Sequence, residues 1–356
     1  MSLIRDISNI LREDHAMAQR INYLKYLFAK RGEILNYDPV TISIVATSRC
    51  TLSCEMCPTH SKRVPRDYPH IQKNVKDIEF EMFKDIIDRF KNATTVSIIG
   101  SGEPLLNKDF FKIVNYAAGK RMIVKTVSNG TTIENNIDNL LNSKLGGITI
   151  SINGHDSKEF ARMTGMDEAI YFKIYEGVKK LIEEKRRRNS ALKIKSSFII
   201  DRYNYKSIPA MINLAMGLGV DHIFLCNFLP CPYEGLRAEE RVLMADDDAI
   251  SEIKKVIESY PVERKKKITF PMLVARNLNK NCCEAHFSQI RFDGDGNVSS
   301  CSMMLLNMSN QGHYKEKYVW NNSFFRNMRR RFLSGDQKFI PDPCRVCPDN
   351  KGIYVG

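Results

Sequence analysis

No stretch of this 356-residue sequence approaches the ~18 consecutive apolar residues that a membrane-spanning helix needs. The start, Met1-Ser-Leu-Ile-Arg-Asp-Ile, has charges inside its first helical pattern and no apolar h-region. A secretory signal is therefore not expected, and a cytoplasmic location is. There is no internal repeat and no low-complexity tract, so repeat arrays are excluded. Acids are few relative to bases, 41 Asp+Glu against 54 Lys+Arg, leaving a formal net charge of +13. The rest is an ordinary globular composition, 43% hydrophobic and 27% charged. Its length suits one large domain, or a large one with a small one.

Part of the basic excess lies in short runs, Lys185-Arg186-Arg187-Arg188, Arg264-Lys265-Lys266-Lys267 and Arg329-Arg330-Arg331. The plain reading of each is a solvated helix end or loop. The sharper readings are an anionic substrate, an acidic partner or nucleic acid. No recognition motif accompanies the runs, which disfavours nucleic acid. Ten cysteines stand out more. Stable disulfides are rare in cytoplasm, so thiols at clustered spacings point to metal.

Residues 1–40 read as one or two helices, with Ile4, Ile7, Ile10 and Leu11, then Ile21, Leu24, Leu27 and Phe28, near helical spacing. From residue 41 an alternation begins. Strands are expected at 41–46, 95–99, 122–127, 148–152, 194–200 and 222–225. Helices are expected at about 78–91, 108–119, 132–143, 157–187 with a break near Gly165, and 205–217. Six strands separated by helices imply βαβ units and a parallel sheet, which holds its ligands at the carboxyl ends of its strands. The alternation stops near residue 235. Residues 236–275 read as a helical linker with one more helix at 246–259, and 276–356 as a small Cys-rich domain.

Strand one runs into Ser48-Arg49-Cys50-Thr-Leu-Ser-Cys54-Glu-Met56-Cys57-Pro58. Three thiolates at C-x3-C-x2-C in a strand-end loop can converge on one metal centre, and soft thiolates favour iron–sulfur or zinc. A structural zinc wants a fourth ligand, for which His60 is available. A four-iron cluster on three cysteines instead leaves one iron open.

With this loop the sequence resembles the radical S-adenosylmethionine (SAM) enzymes, over roughly residues 41–235. Ser101-Gly102-Glu103-Pro104 after strand two resembles the family's G-G-E-P, which implies that Gly102 and Glu103 contact the SAM amino group. Ser128-Asn129-Gly130 after strand three resembles a T-N-G turn near the ribose and carboxylate. Ser151-Ile-Asn153-Gly154 after strand four resembles S-x-D-G, placing Ser151 and Asn153 along the SAM site. The family pattern usually has an aromatic where this chain has Met56, a residue able to pack against adenine. The resemblance implies a partial (β/α)6 TIM-type barrel, a [4Fe-4S] cluster on Cys50, Cys54 and Cys57, and SAM as cofactor. It also implies a low-potential donor of the flavodoxin or ferredoxin type.

The tail carries Cys282-Cys283, then Cys301 after the turn Asp293-Gly-Asp-Gly296-Asn, then Cys344-Arg-Val-Cys347. A hairpin there brings Cys283 and Cys301 together, and four thiolates would ligate a second cluster or a zinc. The pattern resembles the twitch domain, a shortened SPASM domain. That implies one auxiliary [4Fe-4S] cluster on Cys283, Cys301, Cys344 and Cys347 in a small α+β unit, with Cys282 as the alternative to Cys283. Around the end of strand six, Cys226 and Cys231 read as small buried hydrophobes, or as thiols lining a substrate cavity where one donates hydrogen to a product radical. Cys231, Tyr233 and Glu234 are the catalytic candidates, with Asn227 beside them. The expected reaction is hydrogen abstraction with an electron passed to the auxiliary cluster, oxidising a small polar metabolite of the polyol or sugar type, neutral or anionic. The alternatives are radical modification of a peptide or protein, and redox-neutral rearrangement or group transfer on a nucleotide or cofactor precursor.

Overall fold

The computed structural model describes residues 2–63, 76–228, 241, 243, 248–274, 283–301, 311–341, 344, 347, 350 and 352–353. Two helices open the chain, α1 (Ser2–Arg12) and α2 (Met17–Phe28). The barrel then alternates β1 (Thr41–Val45), α3 (Phe80–Arg89), β2 (Thr95–Ile99), α4 (Phe110–Gly119), β3 (Ile123–Ser128) and α5 (Ile137–Asn142). It continues through β4 (Gly147–Ser151), α6 (Ser157–Thr164), α7 (Glu168–Arg187), β5 (Lys193–Ile200), α8 (Ile208–Leu218) and β6 (His222–Asn227). All six expected strands are present within two residues of their expected ends. The helical stretch after β4 breaks where Gly165, at φ 68°, takes the left-handed conformation that ends α6.

The sheet is larger than six strands. Among the described residues its order is β10-β9-β1-β2-β3-β4-β5-β6-β7, where β7 is Ile268–Thr269, β9 Gln289–Phe292 and β10 Val298–Ser299. Every neighbouring pair is parallel except β10 with β9. Strand β7 therefore continues the barrel from within residues 236–275, after α9 (Ala249–Ser259), and the start of the Cys-rich tail adds strands beside β1. A further short pair, β8 (Leu273–Val274) with β11 (Gly352–Ile353), is antiparallel.

The alternation of each strand sorts its side chains. Val96, Val124, Ile148, Ile194 and Ile223 are fully buried in the core shared with Phe83, Ile113, Ile174, Leu181 and Met211 of the surrounding helices. The opposite face looks into the lumen. Its residues run across the sheet in register: Ser43, Ser97, Lys125; then Val127, Thr149, Lys195, His222; then Ser151, Ser197, Phe224. The N-terminal helices close the amino end of the barrel. Gln19 donates to the carbonyls of Lys91 and Lys120, and Asn22 to those of Asp38 and Asn92. Among the described residues no helix is long and apolar enough to cross a membrane.

The basic runs divide. Lys185, Arg187 and Arg188 end α7, where they suit the helix dipole and pair with Asp221, Glu184 and Asp138. Arg329 is different. It lies on α10 (Ser323–Leu333) and is fully buried, so the solvated reading fails for it. Its guanidinium donates to the carbonyls of His286, Glu33 and Trp320 and to Asn321 Oδ1, and stacks 4.4 Å above the Trp320 ring. These bonds join the tail to the segment before β1, assisted by Trp320 Nε1 donating to the Tyr37 carbonyl. Arg329→Ala strands several buried acceptors, each costing about 1–3 kcal/mol. A loss of at least ~3 kcal/mol in total is expected, read as a lower urea midpoint; an unchanged midpoint would contradict this role.

Candidate functional site

The site lies at the carboxyl ends of β1 to β4, where four loops meet. The loop after β1 carries Cys50, Cys54 and Cys57, all part-buried. It is anchored at its start by Asp77, whose carboxylate accepts from Thr47 Oγ1 (2.5 Å) and from Arg49 Nη2 (2.5 Å) and Nε (3.2 Å). Glu55 N donates to the Thr164 carbonyl, so the break between α6 and α7 sits over the loop. A Cβ on Gly165 would come within 2.3 Å of Glu55 Cγ, and its φ is already left-handed, so only glycine fits there.

The second loop is pressed onto the first. Gly102 N donates to the Thr47 carbonyl (3.1 Å) and Glu103 N to that of Arg49 (2.7 Å). A Cβ on Gly102 would stand 1.9 Å from the Arg49 oxygen, which explains the glycine of this Gly-Glu-Pro turn. Glu103 is fully buried and draws the third loop in. Its carboxylate accepts from Ser128 Oγ (2.8 Å), Asn129 N (2.6 Å) and Leu105 N (3.3 Å). Burial raises its pKa, and those three bonds counteract the shift. From the third loop, Asn129 Nδ2 donates to Cys50 Sγ (3.5 Å) and Thr51 Oγ1 (3.1 Å). In the fourth loop, Ser151 Oγ bonds Ser197 Oγ (3.2 Å). Asn153 adopts φ 55°, which asparagine tolerates, and accepts from Ile199 N (3.3 Å). Met56 sits half-buried in the turn between Cys54 and Cys57.

The Cys50 and Cys54 thiols are held protonated, which disfavours free thiolate reactivity. Burial pushes Cys54 up to about 12 and raises Cys50, with neighbouring cysteines adding to both. Metal binding at these cysteines must therefore release protons. His60 is anchored on the Ser101 backbone, its Nε2 is buried with no hydrogen-bond partner among the described residues, and burial lowers its pKa. In the tail the expected turn forms. Asp293 Oδ1 accepts from Asp295 N and Asn297 N, both at 2.9 Å, and turns β9 into β10. Cys301, Cys344 and Cys347 each act electrostatically on Cys283, whose pKa is raised mainly by burial, while Cys344 is pushed up to about 12. Three tail thiols thus lie within electrostatic reach of Cys283. Among the described residues no three His, Cys, Asp or Glu side chains gather on a single ion.

Around the end of β6 the picture changes. Cys226 is exposed, not a buried hydrophobe, and shares its side of the sheet with Ile199. The Asn227 amide exchanges bonds with the backbone of Met272, accepting at 2.9 Å and donating to its carbonyl, so it acts as a staple. Cys231, Tyr233 and Glu234 lie outside the described residues, as does Cys282.

Two residues at the site escaped sequence reasoning. Asp201, fully buried just after β5, holds Arg241 (Nε to Oδ2, 2.8 Å), whose guanidinium covers the Phe228 ring. Arg291 of β9 is buried opposite Ser43, and its Nε has no partner. Burial lowers its pKa to about 10, with Cys301 opposing the shift. A lone arginine in a strand gives no signal in sequence; only the sheet pairing puts it beside a tail cysteine.

A parallel barrel whose first strand-end loop offers three cysteines, clamped by a glycine-glutamate turn, sets soft thiol ligands at the carboxyl end of the sheet. Residues 44–215 match the family model of the radical SAM superfamily, and the chain carries that family's domain. The family implies a [4Fe-4S] cluster and SAM. Among relatives, a probable GTP 3',8-cyclase of Saccharolobus islandicus is 24% identical over 278 residues, covering 73% of this chain and 82% of that protein. The tungsten-containing aldehyde ferredoxin oxidoreductase cofactor-modifying protein of Pyrococcus furiosus is 23% identical, covering 52% of this chain and 50% of that one. Among solved structures, Streptococcus suis SuiB bound to the precursor peptide SuiA has a TM-score of 0.65 at 16% identity, covering 95% of this chain and 75% of SuiB. Native anSMEcpe with bound AdoMet has a TM-score of 0.61 at 15% identity, covering 88% and 89%. At these identities the solved structures speak for the fold alone.

Proposed function

We propose that this protein holds a four-iron cluster on Cys50, Cys54 and Cys57 with SAM beside it, and acts on a small anionic substrate in the barrel lumen. With both groups bound, such a site supplies reductive SAM cleavage and hydrogen abstraction from an unactivated C–H bond. The observation that carries the reading is the tie among the loops. Asn129 rests on the Cys50 sulfur, Glu103 holds the turn that bears Asn129, and Gly102 fits against Arg49. The residues around a cluster ligand are thereby the same ones the family resemblance assigns to SAM. Glu103 and Asn129 orient the cofactor, Ser151 and Asn153 border it, and Met56 packs on its base.

Cys283, Cys301, Cys344 and Cys347 would hold a second four-iron cluster. Cys301, Cys344 and Cys347 all act on Cys283, and the resemblance to the twitch domain favours a cluster over zinc. Polyol or sugar oxidation has no counterpart among the relatives described. Their names give GTP cyclisation and cofactor modification, and lysines line the lumen. The reaction adopted is therefore a radical rearrangement or group transfer on a nucleotide or cofactor precursor.

Anaerobic reconstitution followed by iron, sulfide and zinc counting, with low-temperature spin resonance, tests this. About eight irons per chain and one signal shifted by SAM are expected. About four irons with one zinc would remove the second cluster, and no SAM-shifted signal would overturn the reading. Glu103→Gln supplies a finer check. One amide N–H must then face a backbone donor, so SAM should bind about tenfold more weakly or worse, measured by equilibrium dialysis, while the first cluster still assembles. Unchanged affinity would take Glu103 out of the SAM site.

A further inference from the structure

Below the SAM loops, the lumen contains a second chemical feature. A cavity of about 420 Å³ lies at the amino ends of β3, β4 and β5, lined by Lys125, Lys144, Lys193 and Lys195 with Glu13 and Thr149. Four lysines line it against one glutamate, and Asp221, which acts on Lys193 and Lys195 from beyond the lining, is already paired with Lys185. Among the described residues none of the four lysines forms an ion pair. Lys125 and Lys193 share one register row through Gly147, and Lys195 stands in the next inward row beside Thr149. The absence of a side chain at Gly147 leaves the space between Lys125 and Lys193 open. Lys195 is half-buried over the Phe224 ring; burial, Lys125 and Lys193 lower its pKa, and Asp221 opposes the shift. Like charges turned into one half-enclosed cavity repel one another, and a bound polyanion removes that repulsion. Lysine ammonium groups are compact point charges suited to phosphate oxygens. A single carboxylate would meet one of these ammonium groups, whereas a di- or triphosphoryl group can meet several at once.

Resting on the functional reading above, we propose that this lysine cavity anchors the phosphoryl end of the substrate, which is therefore a polyphosphorylated small molecule. The geometry fits. Asn129 lies four residues beyond Lys125, just past the end of the same strand, roughly 13 Å at the rise of a β-strand. Ser151 and Ser197 form the row two residues above Lys195, roughly 7 Å on. A molecule with phosphates among the lysines thus presents its carbon skeleton to the loops that hold SAM. The lysines grip one end, and the hydrogen to be removed lies at the other.

The test is calorimetric titration of the reconstituted full-length protein with tripolyphosphate, pyrophosphate and inorganic phosphate. One saturable site is expected, with affinity falling in that order and weakening with added salt. Lys125→Ala/Lys195→Ala should lose at least tenfold in tripolyphosphate affinity, and Lys125→Arg/Lys195→Arg should regain most of it. Lys265→Ala/Lys267→Ala, which removes as much charge from the surface run, should change it less than twofold. Equal losses in both alanine pairs, or no saturable site, would overturn the proposal. 5′-Deoxyadenosine formation by the reduced wild-type protein separates the two readings. Tripolyphosphate binding at the lysines without that product would sink the radical chemistry and leave the anion site standing. The product without lysine-dependent binding would do the reverse.

Discussion

Changing Cys50, Cys54 or Cys57 to Ala should abolish reductive SAM cleavage, with 5′-deoxyadenosine falling to background and about four irons lost per chain. The loss should be complete because three ligands are the least that hold the cluster while leaving an iron free. Asn129, beside Cys50, can donate to a thiolate but not replace one. The fold should survive, since the loop is held by Asp77 and by Gly102 and Glu103 on the backbone of Thr47 and Arg49. An unchanged far-ultraviolet spectrum and melting profile beside the lost activity would separate cluster loss from unfolding. Residual cleavage in any of the three variants would contradict the assignment.

Changing Cys344 or Cys347 to Ala should have an equally large effect on a different quantity. About four irons should again be lost, but the spin signal that shifts with SAM should remain, and uncoupled SAM cleavage should stay partly intact. Product formation should fall to background once the substrate is known. The separation follows from the sheet: the tail thiols come in from the β9 side of β1, and the first trio from the loop after it. Full product formation in these variants would give the tail cluster no part in turnover. Loss of both signals would mean that the two sites assemble together.

Much of the site was legible because its chemistry is local. C-x3-C-x2-C keeps three thiols within one loop, and Gly102-Glu103-Pro104 and Ser128-Asn129-Gly130 are turns whose composition announces them. The break at Gly165 was legible for the same reason, since a left-handed residue after a helix favours glycine. What Glu103 does inside the protein was not. Its bonds to Ser128 and Asn129 span about twenty-five residues of sequence and exist only because β2 and β3 lie side by side. Arg329 shows the opposite error. Three arginines in a row look solvated, yet one falls on the buried side of α10 and becomes a fully bonded core residue.

The order of strands and helices, the three-cysteine loop and the turns around it were determined by the sequence alone, because each depends on neighbours a few positions apart. The tertiary structure decided which of those pieces touch. It set the strand register that puts Lys125 and Lys193 in one row with Lys195 in the next, the pairing of β9 with β1 that buries Arg291 near Cys301, and the approach of three tail thiols to Cys283. These depend on which strands become neighbours and which face each side chain takes. A one-residue shift in register would reverse that face without changing a single local pattern.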